Sequence, residues 1–108
     1  MLTKNDLREM FDEANNEFLK FERVTPRRSQ RADLHAFLLL DELVPPPKVA
    51  SQAGDYCHDM VSAAEHDVIW LYVDCDALAV VVTQEQVVEL SRCGVRYDDD
   101  VESLALFV

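Results

Sequence analysis

The densest run of chemically capable side chains is DYCHDMVSAAEHD, residues 55–67. His58-Asp59 and Glu65-His66-Asp67 carry imidazole and carboxylate groups of the kind that hold a metal ion or trade protons. A metal-binding helix needs its ligands at i and i+3 or i+4, so that they converge on one face. His58 and His66 are eight apart, which on a regular helix separates them by about 12 Å along the axis. They cannot share one ion unaided. Asp55 and Asp59 stand at i, i+4, yet two carboxylates alone make a weak site. Cys57 beside His58 gives no nucleophile–base couple, because adjacent residues on a helix point about 100° apart. With two glycines in the chain, neither a phosphate-cradling loop nor a G-x-S-x-G turn can be built. No enzyme activity, metal or cofactor is expected. The run reads instead as a short helix with Tyr56, Cys57, Met60, Val61 and Ala64 on one side.

Cys57, Cys75 and Cys93 match no ligand spacing, since there is no C-x-x-C and no close Cys/His pair of zinc type. An odd cysteine count behind the charged N-terminal stretch MLTKNDLREM, which lacks the apolar core of a signal peptide, suggests reduced thiols and a cytoplasmic setting. The thiols are expected to be buried and inert. No apolar run approaches the 18 or so residues of a membrane span.

A second stretch, LSRCGVRYDDDVESL, imitates a DNA-reading helix-turn-helix. Leu90 takes the helix-packing position and Gly94-Val95 the turn, so a recognition helix would begin near Tyr97. Its first turn, which must meet base edges and phosphates, would then present Asp98, Asp99, Asp100 and Glu102. Affinity for a polyanion comes from Lys and Arg neutralising phosphates, and Arg92 and Arg96 cannot offset four carboxylates. A helix ended by Gly94 and leading into a strand is the preferred reading. Arg23, Arg27, Arg28 and Arg31 form a candidate basic patch, but no aromatic platform stands beside them for single-stranded nucleic acid. Direct nucleic-acid binding is not expected.

Ten Lys and Arg stand against 21 Asp and Glu, giving a net charge of −11. The imbalance is not uniform. Residues 1–33 hold seven basic and seven acidic residues, whereas residues 34–108 hold three basic and fourteen acidic. Such a surface repels phosphate chains and attracts basic surfaces where screening is incomplete. The expected function is therefore non-enzymatic: an acidic protein that occupies a basic, even nucleic-acid-binding, surface of a partner protein as a polyanion-like inhibitor or regulator. The candidate contact residues are Asp41, Glu42, Asp74, Asp76, Asp98, Asp99, Asp100 and Glu102. The alternative is a homodimer or assembly subunit, docked through a Phe11/Phe18/Phe21 stripe or through the C-terminal strand, with the charge serving only solubility.

The elements that would position these groups follow from period and punctuation. Length and composition fit one domain over residues 1–108. Thr3 with Asp6 caps a first helix, along which Leu7, Phe11, Ala14, Phe18 and Phe21 recur at helical spacing. Thr25-Pro26 starts a second helix that runs to Leu43 and stops before Pro45-Pro46-Pro47. Residues 68–73 (VIWLYV) form the strongest strand, and their unbroken apolar character suggests cover on both faces. Residues 77–82 (ALAVVV) are ambiguous. The valines favour a strand and a hairpin through Asp74-Cys75-Asp76, while an Asp cap before Ala-Leu-Ala would start a short helix. The strand is preferred. Thr83 caps a helix over 84–93 with Val87, Val88 and Leu90 on its buried side, and Gly94 ends it. YDDDVE is a loop. Residues 103–108 form a final strand too apolar to stand outside a sheet. The class is α+β, with two long helices and one short helix in the first half and a small sheet in the second.

Overall fold

The computed structural model describes residues 2–45 and 60–107. The architecture is α+β. Helices α1 (Lys4–Glu13) and α2 (Ala32–Leu43) precede the hairpin β1 (Val61–Glu65) and β2 (Val68–Leu71). Helices α3 (Cys75–Val81) and α4 (Gln84–Arg92) follow, then the hairpin β3 (Val95–Asp98) and β4 (Ser103–Phe107). The four strands form one antiparallel sheet in the order β1-β2-β4-β3. No helix among the described residues is long and apolar enough to cross a membrane.

Several elements lie where the sequence places them. Thr3 accepts from the Asn5 N–H while Asp6 bonds back to the Thr3 N–H, a capping box that starts α1. Thr83 and Gln86 build the same device at α4. Gly94 ends α4 at φ +98°, a left-handed conformation that favours glycine, and the chain passes directly into β3. The helix-turn-helix likeness therefore dissolves into a helix, a glycine and a strand. The C-terminal strand lies inside the sheet, between β2 and β3, where Leu104, Ala105 and Leu106 are fully enclosed.

Other expectations need correction. The first helix stops at Glu13, and two short 3-10 turns, Asn15–Glu17 and Phe21–Arg23, carry the chain onward. Phe18 and Phe21 therefore leave the helical stripe that holds Leu7, Phe11 and Ala14. The second helix starts at Ala32 rather than at Thr25-Pro26, which is a cis peptide in an irregular segment. That segment has its own partners. Arg27 donates to the Phe21 and Val24 carbonyls, and the Arg28 N–H donates to His35 Nδ1.

The expected helix across 55–67 is overturned over residues 61–65, which pair with β2 as a strand; residues 55–59 lie outside those described. Alanine-rich VSAAE has helical propensity, but the open edge of β2 supplies backbone bonds that outweigh it. Residues 77–82 are a helix over Cys75–Val81, not a strand. The Asp74 carboxylate accepts from the Ala77 N–H, and Cys75, Leu78, Ala79 and Val82 turn one face toward the core. β3 begins directly after Gly94, where a strand is expected, and it takes Tyr97 and Asp98 from the stretch read as a loop. Val95 and Tyr97 point inward there, and Arg96 and Asp98 outward.

The helices and the inward side chains Ile69, Leu71, Val95, Tyr97, Leu104 and Leu106 share one apolar core. Val68, Trp70, Ala105 and Phe107 point the other way and lie outside it. On that outer face Val68 and Trp70 of β2 are part-buried, whereas Phe107 of β4 beside them is 44% exposed. The indole N–H reaches Asp98 Oδ2 at 2.9 Å from two strands away. Trp70 pairs with Ala105 across β2–β4, so its ring passes over that fully buried residue on the outer face.

Helix α4 fastens the N-terminal segment by polar contacts. Ser91 Oγ donates to the Ala14 carbonyl, Gln84 Nε2 to the Met10 carbonyl, and Arg92 Nη1 to the Arg23 carbonyl. Glu89 takes a 2.6 Å bond from Nε2 of His35, which is 1% exposed. Removing Ser91 Oγ with Ser91→Ala is expected to cost about 1 kcal/mol. Glu89→Ala strands a buried N–H and is expected to cost about 1–3 kcal/mol. Urea unfolding should show lower midpoints at unchanged slope, with the Glu89 variant the weaker of the two.

Candidate functional site

The His/Asp constellation does not assemble. His58 and Asp59 lie outside the described residues. Glu65 closes β1, while His66 (φ +41°) and Asp67 form the exposed hairpin turn. Among the described residues, no three His, Cys, Asp or Glu are grouped to hold a metal ion. Cys75 and Cys93 are free and buried. Burial pushes the Cys75 thiol up to about 11 and the Cys93 thiol up to about 12, so both stay protonated and poorly nucleophilic near neutrality.

A histidine–carboxylate pair that the sequence reading passes over is buried between α2 and α4. His35 Nδ1 accepts from the Arg28 N–H, which places the ring proton on Nε2, where it meets Glu89. The Phe21 ring packs edge-on against the imidazole at 5.9 Å, and the Arg27 guanidinium lies 4.6 Å above Phe21. Both ring nitrogens are engaged and the side chain is enclosed. This pair joins two helices; it has no nitrogen left for substrate. The signal for it is His35 at i, i+4 with Leu39 on the inner face of an apolar helix.

The arginine cluster is not an open basic patch. Glu17, only 13% exposed at its side chain, accepts from Arg92 Nη2 at 2.6 Å and from Arg23 Nη1 at 2.7 Å, with Lys20 Nζ at 3.8 Å. Arg28 is paired to Glu42. Arg27 is held by the Phe21 ring, two carbonyls and Gln30. Arg31 alone of the four has an unpartnered side chain among the described residues.

Six of the eight candidate acidic residues gather at one corner. Asp74 caps α3, and Asp76 accepts the Lys4 N–H at 2.7 Å. Glu102 pairs with Lys4 Nζ at 3.2 Å, and Asp99 with Arg8 at 3.5 Å. Asp98 holds the Trp70 indole and the Asp100 N–H. Lys4 and Arg8 answer these six carboxylates through exposed, solvent-screened pairs, and Arg96 acts on Asp98 from the neighbouring outward position of β3. Asp41 and Glu42 stand apart, in the last turn of α2.

Beside this corner lies a feature with no separate signal in the sequence. An open groove of about 520 Å³ runs along β1, floored by Ala63, Ala64 and Val101 and walled by the Trp70 ring. Glu65 is its one charged lining residue among those described.

Two carboxylates are held below their ordinary range. Hydrogen bonding from Arg92 and Arg23 lowers Glu17, and the Trp70 indole lowers Asp98. Each binds its proton less tightly folded than unfolded, so each contributes stability above its unfolded pKa. For Glu17, that contribution is lost as pH falls from about the ordinary value of 4.5 through the lower folded value. Acid unfolding followed by circular dichroism should show Glu17→Gln less stable at neutral pH, with the gap to the parent closing below that point. Alkylation at pH 8 should leave Cys75 and Cys93 unmodified until denaturant is added.

Compared with known proteins, the chain matches no family model, no curated protein and no solved structure.

Proposed function

We propose that the protein is a small acidic, non-enzymatic binding protein that occupies a basic surface of a partner protein, acting as a polyanion-like inhibitor or regulator. The observation that carries this reading is the fate of its cations. Lys4, Arg8, Lys20, Arg23, Arg28 and Arg92 are all engaged by the chain's own carboxylates. Among the described residues only Arg27, Arg31 and Arg96 lack a carboxylate partner, while Glu9, Asp12, Glu13, Glu22, Asp33, Asp41, Glu85 and Asp100 are exposed without a cation. Capping and indole bonds occupy Asp74, Asp76 and Asp98 but do not remove their charge. The outward field is therefore negative, and a basic protein surface is the chemistry that answers it. A nucleic acid is not. The odd cysteine count favours the cytoplasm as the setting.

The alternative, assembly through the Phe11/Phe18/Phe21 stripe or the C-terminal strand, is less favoured by the same observations: Phe11 is buried in the core, Phe21 packs against it, and β4 lies between β2 and β3 in the sheet.

Affinity capture from lysate of the source, eluted with rising salt, tests the reading together with a variant bait. A basic protein should be released at moderate salt, and Asp41→Asn/Asp99→Asn/Asp100→Asn, which keeps Asp98 for Trp70, should lower the affinity and flatten the salt dependence. A partner that resists high salt, or binds the triple variant equally well, would contradict it.

A further inference from the structure

The acidic surface is diffuse, but among the described residues the groove along β1 has shape. Among the described residues β1 pairs with β2 alone, and on its other edge none of them takes up its backbone N–H and C=O groups. All five of its residues, Val61–Glu65, are exposed. Proteins commonly guard such edges with lysine, proline or covering elements. β1 carries no lysine or proline, and its side chains at 62–64 are small. The opposite edge differs. Val95 of β3 is fully buried, helices α1 and α4 pack against that strand, and its outward face bears Arg96.

The groove gives β1 a selective character. Ala63 pairs with Trp70 across the hairpin and leaves the ring uncovered on that side, and Glu65 lies two residues along the same face. The indole is fixed by its bond to Asp98. A fixed aromatic face whose N–H edge is held by Asp98, in a groove that Glu65 also lines, suits a guanidinium or an ammonium group.

We propose that this groove receives an extended cationic segment of the partner protein. The segment's backbone adds to the free edge of β1, and one Arg or Lys seats between the Trp70 ring and the Glu65 carboxylate. The proposal rests on the acidic-binding reading above and narrows it to one site, in the manner of strand addition, where main-chain bonds supply affinity and alternate side chains supply selectivity.

Trp70 is the chain's single tryptophan, so its fluorescence reports the site directly. The probes are a peptide alternating Arg and Val and a peptide of equal charge with Pro in place of every Val, which lacks the N–H groups needed to extend a sheet. The alternating peptide is expected to shift Trp70 emission and to bind at least about tenfold more tightly than the proline peptide. Glu65→Gln should weaken it about three- to fivefold, and Ala63→Lys, which sets a cation on the exposed groove floor, should weaken it further. Equal, salt-sensitive binding of both peptides with Trp70 emission unmoved would overturn the groove and leave the acidic-surface reading standing. Binding of neither peptide at low salt would remove both.

Discussion

The polar face of α4 is the constraint on which the rest of the structure depends. One edge of that helix buries Val87 and Leu90 in the core, as any amphipathic helix would. Its neighbouring side chains, Gln84, Glu89, Ser91 and Arg92, each bond to a different point in the N-terminal segment. They close the carbonyl end of α1, hold the two 3-10 turns and meet α2 through His35. Without them, residues 14–31 have little apolar surface of their own with which to pack. Glu17 shows the economy of the arrangement: one largely enclosed carboxylate organises three cations from both sides of the junction.

Much of the fold can be read from the chain, and the failures have physical causes. Capping boxes at Thr3 and Thr83, the stop at Gly94 and the interior placement of the last strand are local chemistry acting locally. α3 is a case of a right signal weighed wrongly. The spacing of Cys75, Leu78, Ala79 and Val82 is helical, but the valine run drew attention to β propensity. β1 is hidden for another reason. It has no strong strand pattern of its own and exists because a better strand offers it a partner. The arginine cluster was legible as charge but not as geometry, because its main carboxylate partner, Glu17, was read as one more charge beside the Phe stripe. His35–Glu89 joins residues 54 apart in sequence, and no local pattern announces such a pair. The groove at β1 was invisible for the same reason, being made by a pairing that the sequence did not reveal.

Charge and topology divide the molecule's surface in a consistent way. Where helices meet, opposite charges are used up internally and the interface is stapled. On the far face of the sheet, among the described residues, compensation is thinner: Trp70 and Asp98 form a fixed pair there, with Arg96 beside Asp98. The outer face is thus a place where apolar area and negative potential coincide, a combination that a purely solubilising charge distribution would not require.

The strand order has a consequence for how this chain reaches its native state. β1–β2 and β3–β4 are hairpins, each closed by a short turn, and such units form within microseconds. Nothing in either hairpin buries enough area to persist alone. They become one sheet only through the β2–β4 seam, whose members are separated by two helices, with β2 ending at Leu71 and β4 beginning at Ser103. Closing that span is an entropic cost met before the seam returns any contact. The order of β2 beside β4 therefore makes sheet completion a late, concerted event, and α3 and α4, which shorten the span by folding between the strands, act as its scaffold.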